Sequence, residues 1–117
     1  MGNRYQALSG AVAVTPALSV SPLTGRSGLR VAGEVGLATQ VIWERALERA
    51  VREDEDVYHL ELSAVTFVDV AGAGALAAAA QRLEDGRRIV LNRPPATLQR
   101  VLEMFWPELA AIEVSMS

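Results

Sequence analysis

The stretch Leu60-Glu61-Leu62-Ser63-Ala64-Val65-Thr66-Phe67-Val68-Asp69-Val70-Ala71-Gly72-Ala73-Gly74-Ala75-Leu76 decides how this chain is read. Its start continues an alternation. Val57, His59 and Glu61 fall on one side of an extended segment and Tyr58, Leu60 and Leu62 on the other, which predicts a strand over 57–62. Residues 65–70 form a second β-rich run. Gly72-Ala73-Gly74 then opens a helix with an apolar stripe at Leu76, Ala79, Ala80 and Leu83. Its other face, Ala73, Ala77, Ala78 and Gln81, is small and flat, and Asp85-Gly86 stops it. A strand that turns through glycine into a helix begins a crossover unit, so the flanks should alternate strands with helices.

Both flanks do. Upstream, apolar positions around Val20 alternate with serines before Pro22, as in an edge strand. A turn at 25–28 leads to Leu29-Arg30-Val31-Ala32, which alternates again and predicts a hairpin. Thr39 offers an N-cap to a helix with Trp43, Ala46, Leu47 and Ala50 at helical spacing. The opposite face carries Glu44, Arg45, Glu48, Arg49 and Arg52, with possible pairs Glu48–Arg52 and Arg49–Glu53. The acidic run 53–56 opposes the helix dipole, so the end should fray at Asp54. Downstream, residues 88–91 predict a short strand, and Pro94-Pro95 starts a helix with a stripe at Leu98, Val101, Leu102 and Phe105. Pro107 ends it, and residues 111–114 predict a last strand. The order β-β-α-β-α-β-α-β implies an α/β fold over 17–114, with a mixed, mostly parallel sheet of about five strands. Residues 1–16 have no clear period and read as a flexible tail or linker.

Composition narrows the function. The chain has 117 residues, enough for one domain, with no cysteine, no lysine and a single histidine. Disulfides, thiol nucleophiles and multi-histidine metal sites are excluded, and no metal or cofactor is expected. Net charge is −3 and no basic run exceeds Arg87-Arg88, which argues against nucleic acid. The longest apolar stretch, 65–80, is broken by Asp69 and two glycines, so it reads as a buried element and not a membrane insertion. The start lacks a charged region followed by a hydrophobic run, which suggests a cytoplasmic location. The scarcity of reactive side chains favours a binding module over an enzyme.

Several residues invite chemistry. Gly72-Ala73-Gly74-Ala75-Leu76-Ala77 fits a dinucleotide-binding turn, but the acid expected about 20 residues on is replaced by Asn92-Arg93. A tight strand-to-helix turn is the plainer reading, with nucleotide binding at Gly72–Gly74 as an alternative. His59 lies mid-strand without a second ligand and reads as structural. Glu34 and Asp69 could face each other as a carboxylate pair at the sheet's end, though no partner base is identifiable. Trp43 and Phe105 sit on buried stripes. Met104 and Trp106 fall off the stripe and suggest a partner surface.

Gly33-Glu34-Val35-Gly36, the central run 60–74 and Leu91-Asn92-Arg93-Pro94-Pro95 together resemble the STAS domain, the sulfate transporter and anti-sigma factor antagonist family. The family pattern is G-E-hydrophobic-D, a helix, then D-L-S-x-V-x-F-h-D-S-S-G. The resemblance covers roughly 17–114 and implies the STAS fold. It also implies a protein partner, an anti-sigma factor or related histidine-kinase-like ATPase, which in antagonist members phosphorylates the serine before the glycine. Here Asp69 is kept, the serine pair is Val70-Ala71, and the phospho-acceptor position is Ala71, which has no hydroxyl. The aspartate of the first motif is Gly36. The resemblance therefore implies a binding module unswitched at Ala71. Its partner surface would comprise Glu34, Gly36, Asp69, Val70, Ala71, Gly72, Ala73, Gly74, Ala77 and Gln81. Ser63 and Thr66 are the hydroxyls left nearby. Ala71 should lie near the N-cap of the second helix. A scaffold, sensor or transporter-associated subunit is the alternative role, since STAS domains also occur in such assemblies.

Overall fold

The computed structural model describes residues 17–116. The expected tail at 1–16 lies outside them. The strands are β1 (Leu18–Pro22), β2 (Gly28–Val35), β3 (Val57–Val68), β4 (Arg88–Asn92) and β5 (Ile112–Ser115). The helices are α1 (Gln40–Arg52), after a 3-10 turn at Leu37–Thr39, α2 (Val70–Gln81) and α3 (Ala96–Phe105). The element order is the one read from the sequence.

The five strands lie side by side in chain order, with β1 antiparallel to β2 and every other pair parallel. Right-handed crossovers between strands laid out this way place every helix on one face. Accordingly α1 packs on α2 and α2 on α3. Leu29, Leu60 and Leu91 are aligned across β2, β3 and β4 and are fully buried with Trp43, Leu76 and Leu98 of the helices. The next row, Arg30, Glu61 and Asn92, lies on the opposite, helix-free face.

Residues 57–68 form one continuous strand, not two runs. The pairing with β2 slips twice, between Arg30 and Ala32 and between Gly33 and Glu34, because β3 carries an extra residue at each place. Each bulge re-aims the following side chains. That is why Leu62, Val65 and Val68, three apart, are all buried in a strand whose native period is two.

The helix ends also differ from expectation. Thr39 occupies the N-cap position of α1 but makes no side-chain cap. Its hydroxyl donates to the Glu34 carbonyl at 2.7 Å and accepts from the Gly36 amide at 3.0 Å, so it ties the preceding turn. The two expected pairs along α1 are not formed among the described residues. Instead Glu48 accepts from both terminal guanidinium nitrogens of Arg82, the C-cap of α2, at 2.8 and 3.0 Å. The acidic end of α1 stops at Arg52 and does not run to Asp54, because Arg87 donates to the carbonyls of Ala50, Val51, Glu53 and Glu55. A guanidinium there satisfies orphan carbonyls and meets the negative helix end. On α3, Phe105 is 57% exposed, whereas Trp106 is half-buried against the core, the reverse of the stripe reading. The helix unwinds at Trp106, so the indole is not placed by helical spacing.

Candidate functional site

The parallel strands end where α1 and α2 begin, and the sequence-predicted motif sits at that end. Asp69 is the N-cap of α2. Its Oδ1 accepts from the Gly72 amide at 2.7 Å, its carbonyl accepts from Ala73, and its own amide donates to Val35 of β2. One side chain thus satisfies an orphan amide of the helix start and holds the corner between β2, β3 and α2. Ala71, expected near this cap, is the second residue inside the helix, so the capping job belongs to Asp69.

Gly72 must be glycine for reasons of space. A Cβ there would stand 2.6 Å from Val35 Cγ1, 3.0 Å from Val68 Cγ1 and 3.1 Å from Asp69 Oδ1. The Trp43 indole N–H donates to the Gly72 carbonyl at 2.9 Å, which pins α1 to the start of α2. Gly36 faces the same corner, and a Cβ on it would lie 4.0 Å from Asp69 Oδ2. A shallow crease runs between these parts, with Gly36, Gln40 and Trp43 on one side and Asp69, Ala71 and Ala75 on the other.

Exposed apolar residues adjoin or lie near the crease-lining positions in sequence. Leu37, Val41, Phe67 and Val70 are between 48% and 87% exposed. Ala71 is also exposed and brings only a methyl group. Of the residues expected at a partner surface, Gly36, Asp69, Val70 and Ala71 come together here, whereas Gly72 is buried beneath them. Glu34 is exposed one step back on β2, paired in register with Phe67. The Asp69 carboxylate is engaged by the Gly72 amide and not by Glu34. Ala73 and Ala77 are buried, at 1% and 0% exposure, and drop out of the partner surface. Gly74 lies against the Trp106 ring, where a Cβ would stand 3.6 Å from Cη2. Gln81 is ten residues further along α2, about 15 Å from Ala71. The outward face of α2 is instead Ala71, Ala78 and Gln81, flanked by the half-buried Gly74 and Ala75.

The sequence reading missed Leu37, Val41 and Phe67. A signal for two of them exists: a leucine in a turn and a valine off the α1 stripe have no burial pattern to join. Thr66 is exposed, and its hydroxyl donates to the Gly33 carbonyl at 3.2 Å inside a strand pairing.

A second polar group lies on the helix-free face. Asn92 Nδ2 and His59 Nδ1 are 3.1 Å apart, and Arg93 Nη2 donates to Glu61 Oε2 at 3.2 Å. Burial, with Arg26 and Arg88 nearby, pushes the His59 imidazole below its usual range. Burial alone would raise Glu61, but the Ser63 side chain and amide, with Arg93, hold it below the usual carboxylate range. Arg93 adopts a left-handed backbone with φ of 52°, and its amide donates to Ser115 at 2.7 Å. These groups pair with each other, which supports the structural reading of His59. Among the described residues no three or more metal-ligating side chains gather, and no helix is long and apolar enough to cross a membrane.

The fold has solved counterparts. An anti-sigma factor antagonist from Mycobacterium paratuberculosis superposes with a TM-score of 0.68 at 24% identity, over 88% of this chain and 87% of that one. The anti-sigma factor antagonist SpoIIAA in its unphosphorylated form gives a TM-score of 0.57 at 18% identity, over 86% of this chain and 90% of that one. At such identities the likeness establishes the fold. A comparison with curated proteins gives no significant match. A family model described as Mlab, STAS domain matches residues 20–106, a span that includes the capped corner at Asp69, the Gly72 contact and the strand–loop–helix after β4. With fold and motif in agreement over most of its length, the chain belongs to the STAS domain family.

Proposed function

We propose that this STAS domain is a non-catalytic, cytoplasmic protein-binding module resembling an anti-sigma factor antagonist, and that it docks its partner without a phosphorylation switch at residue 71. The partner is an anti-sigma factor or a related histidine-kinase-like ATPase. The observation that carries the reading is Ala71 itself. It is exposed on the first turn of α2 next to exposed Val70, and exposed Leu37 and Val41 adjoin in sequence Gly36 and Gln40, which line the same crease. Exposed apolar residues close to a small one suit close approach of a partner surface. A phosphate has nothing to attach to there. The Asp69 carboxylate already occupies the Gly72 amide, and it would repel a nucleotide phosphate brought to the helix start. That argues against the dinucleotide alternative.

A second reading draws on the same residue. A contact that needs no switch suits a constitutive subunit of a scaffold, sensor or transporter-associated assembly. Co-purification separates the two. An antagonist exchanges with free partner, whereas a subunit stays at fixed stoichiometry through sizing and light scattering. Phosphate found on the 65–76 peptide after incubation with a cognate kinase and ATP would remove the unswitched reading in either case.

A further inference from the structure

Away from that corner, the outer edge of β1 and the overhanging face of α1 enclose a groove of about 410 Å³. It is lined by the apolar Val20, Ile42 and Ala46 and by the charged Arg45, Glu48, Arg49 and Arg52. All three arginines are exposed, and among the described residues none of their guanidiniums makes an ion pair or hydrogen bond. Glu48 also lines the groove, but its carboxylate is already engaged by its two bonds to Arg82, which leaves the groove with a surplus of positive charge. Residues 1–16 contain no aspartate or glutamate, so that stretch brings no side-chain carboxylate to the groove.

The strand beneath offers backbone partners. Glu34 donates to the Ala17 carbonyl and Leu23 to that of Gly28, which fixes the parity of the β1–β2 ladder. Residues 17, 19, 21 and 23 bond inward, so the amide and carbonyl of Leu18 and Val20 point outward, and Pro22 offers a carbonyl only. An added strand would place alternate side chains about 6.7 Å apart. Arg45 and Arg49 are four residues apart on α1, a rise of about 6 Å. The two spacings match closely enough for successive outward carboxylates to meet successive guanidiniums.

We propose that this groove binds an extended acidic segment of a partner protein, which adds to the free edge of β1 and pairs its carboxylates with Arg45, Arg49 and Arg52. A nucleic acid or an anionic membrane is a poorer match. The chain's net charge of −3 opposes an extended polyanion more than one short acidic strand. Three cations in a groove with apolar lining residues suit one strand better than a broad anionic surface. The proposal does not depend on the docking end at Ala71.

The test is fluorescence anisotropy of the full chain with a labelled octapeptide alternating valine and glutamate. Saturable binding is expected, weakened by added salt and at least tenfold weaker in the Arg45→Glu/Arg49→Glu double variant. The distant Arg100→Glu should bind as the unmodified chain does. The milder pair Arg45→Gln/Arg49→Gln should also weaken binding, and thermal melts establish that each variant is folded. Val20→Pro, which removes an outward amide, should weaken binding severalfold. Equal binding of a valine–glutamine octapeptide, no loss in both arginine pairs, or no binding at all would overturn the proposal. Unchanged binding by Val20→Pro would overturn strand addition. Arginine-dependent capture by phosphatidylserine vesicles without peptide binding would assign the groove to a membrane surface instead.

Discussion

The Trp43 indole N–H and the Gly72 carbonyl meet at 2.9 Å in the buried seam between α1 and α2, and this contact holds the two helix starts that frame the candidate site. On its other side residue 72 lies against the strands, where a Cβ would stand 2.6 Å from Val35 Cγ1 and 3.0 Å from Val68 Cγ1.

Gly72→Ala should therefore destabilise the fold despite alanine's better helix propensity. Overpacking costs about 1–3 kcal/mol, against about 1 kcal/mol regained from propensity. Thermal denaturation should show a lowered Tm. Trp43→Phe keeps much of the volume but loses the hydrogen bond, at a cost of about 1–3 kcal/mol. A melt unchanged in both variants would contradict the packing described.

Asp69→Ala removes the cap of α2 and should cost about 0.5–2 kcal/mol, whereas Asp69→Asn keeps an acceptor and should cost less. Urea unfolding of the two variants side by side makes the comparison.

Acid should destabilise the fold in two windows. His59 has a folded-state proton affinity below that of the unfolded chain, so its contribution is complete above the unfolded value of 6.5 and lost as pH falls below it. Glu61 is likewise depressed, so its contribution is complete above 4.5 and lost as pH falls through the lower folded value. Urea midpoints against pH should lose the upper slope in His59→Gln and the lower slope in Glu61→Gln.

Arg93 combines a left-handed backbone with a bond to the buried Glu61 carboxylate. Arg93→Gly and Arg93→Ala lose the same side chain but differ in backbone freedom. The glycine variant should be the more stable by about 1–2 kcal/mol. Equal melts would contradict the conformation.

Much of this was legible in the sequence, for identifiable reasons. Alternation at 57–62, glycine and proline punctuation, and the stripe of Trp43, Ala46, Leu47 and Ala50 revealed the order of elements, and the central motif led to the family. The α2 surface was not legible. Val70–Gln81 is apolar or small all round, so no periodicity separates the buried Ala73 and Ala77 from the exposed Ala71 and Ala78. Nor was the continuity of β3. Its bulges at Leu62-Ser63 and Thr66 break the two-residue period that identifies a strand. Glu61 alternated onto a polar side, and only its alignment with Asn92 and the reach of Arg93 explain why it is buried.

The unswitched docking end is tested most directly by native affinity purification of the unmodified chain and Ala71→Arg, with quantitative mass spectrometry of partners and of the 65–76 peptide. The account predicts that an anti-sigma factor or ATPase of that type is retained by the unmodified chain, lost from the folded variant, and leaves the peptide without phosphate. Equal recovery by both chains, or phosphate within residues 65–76, would contradict it.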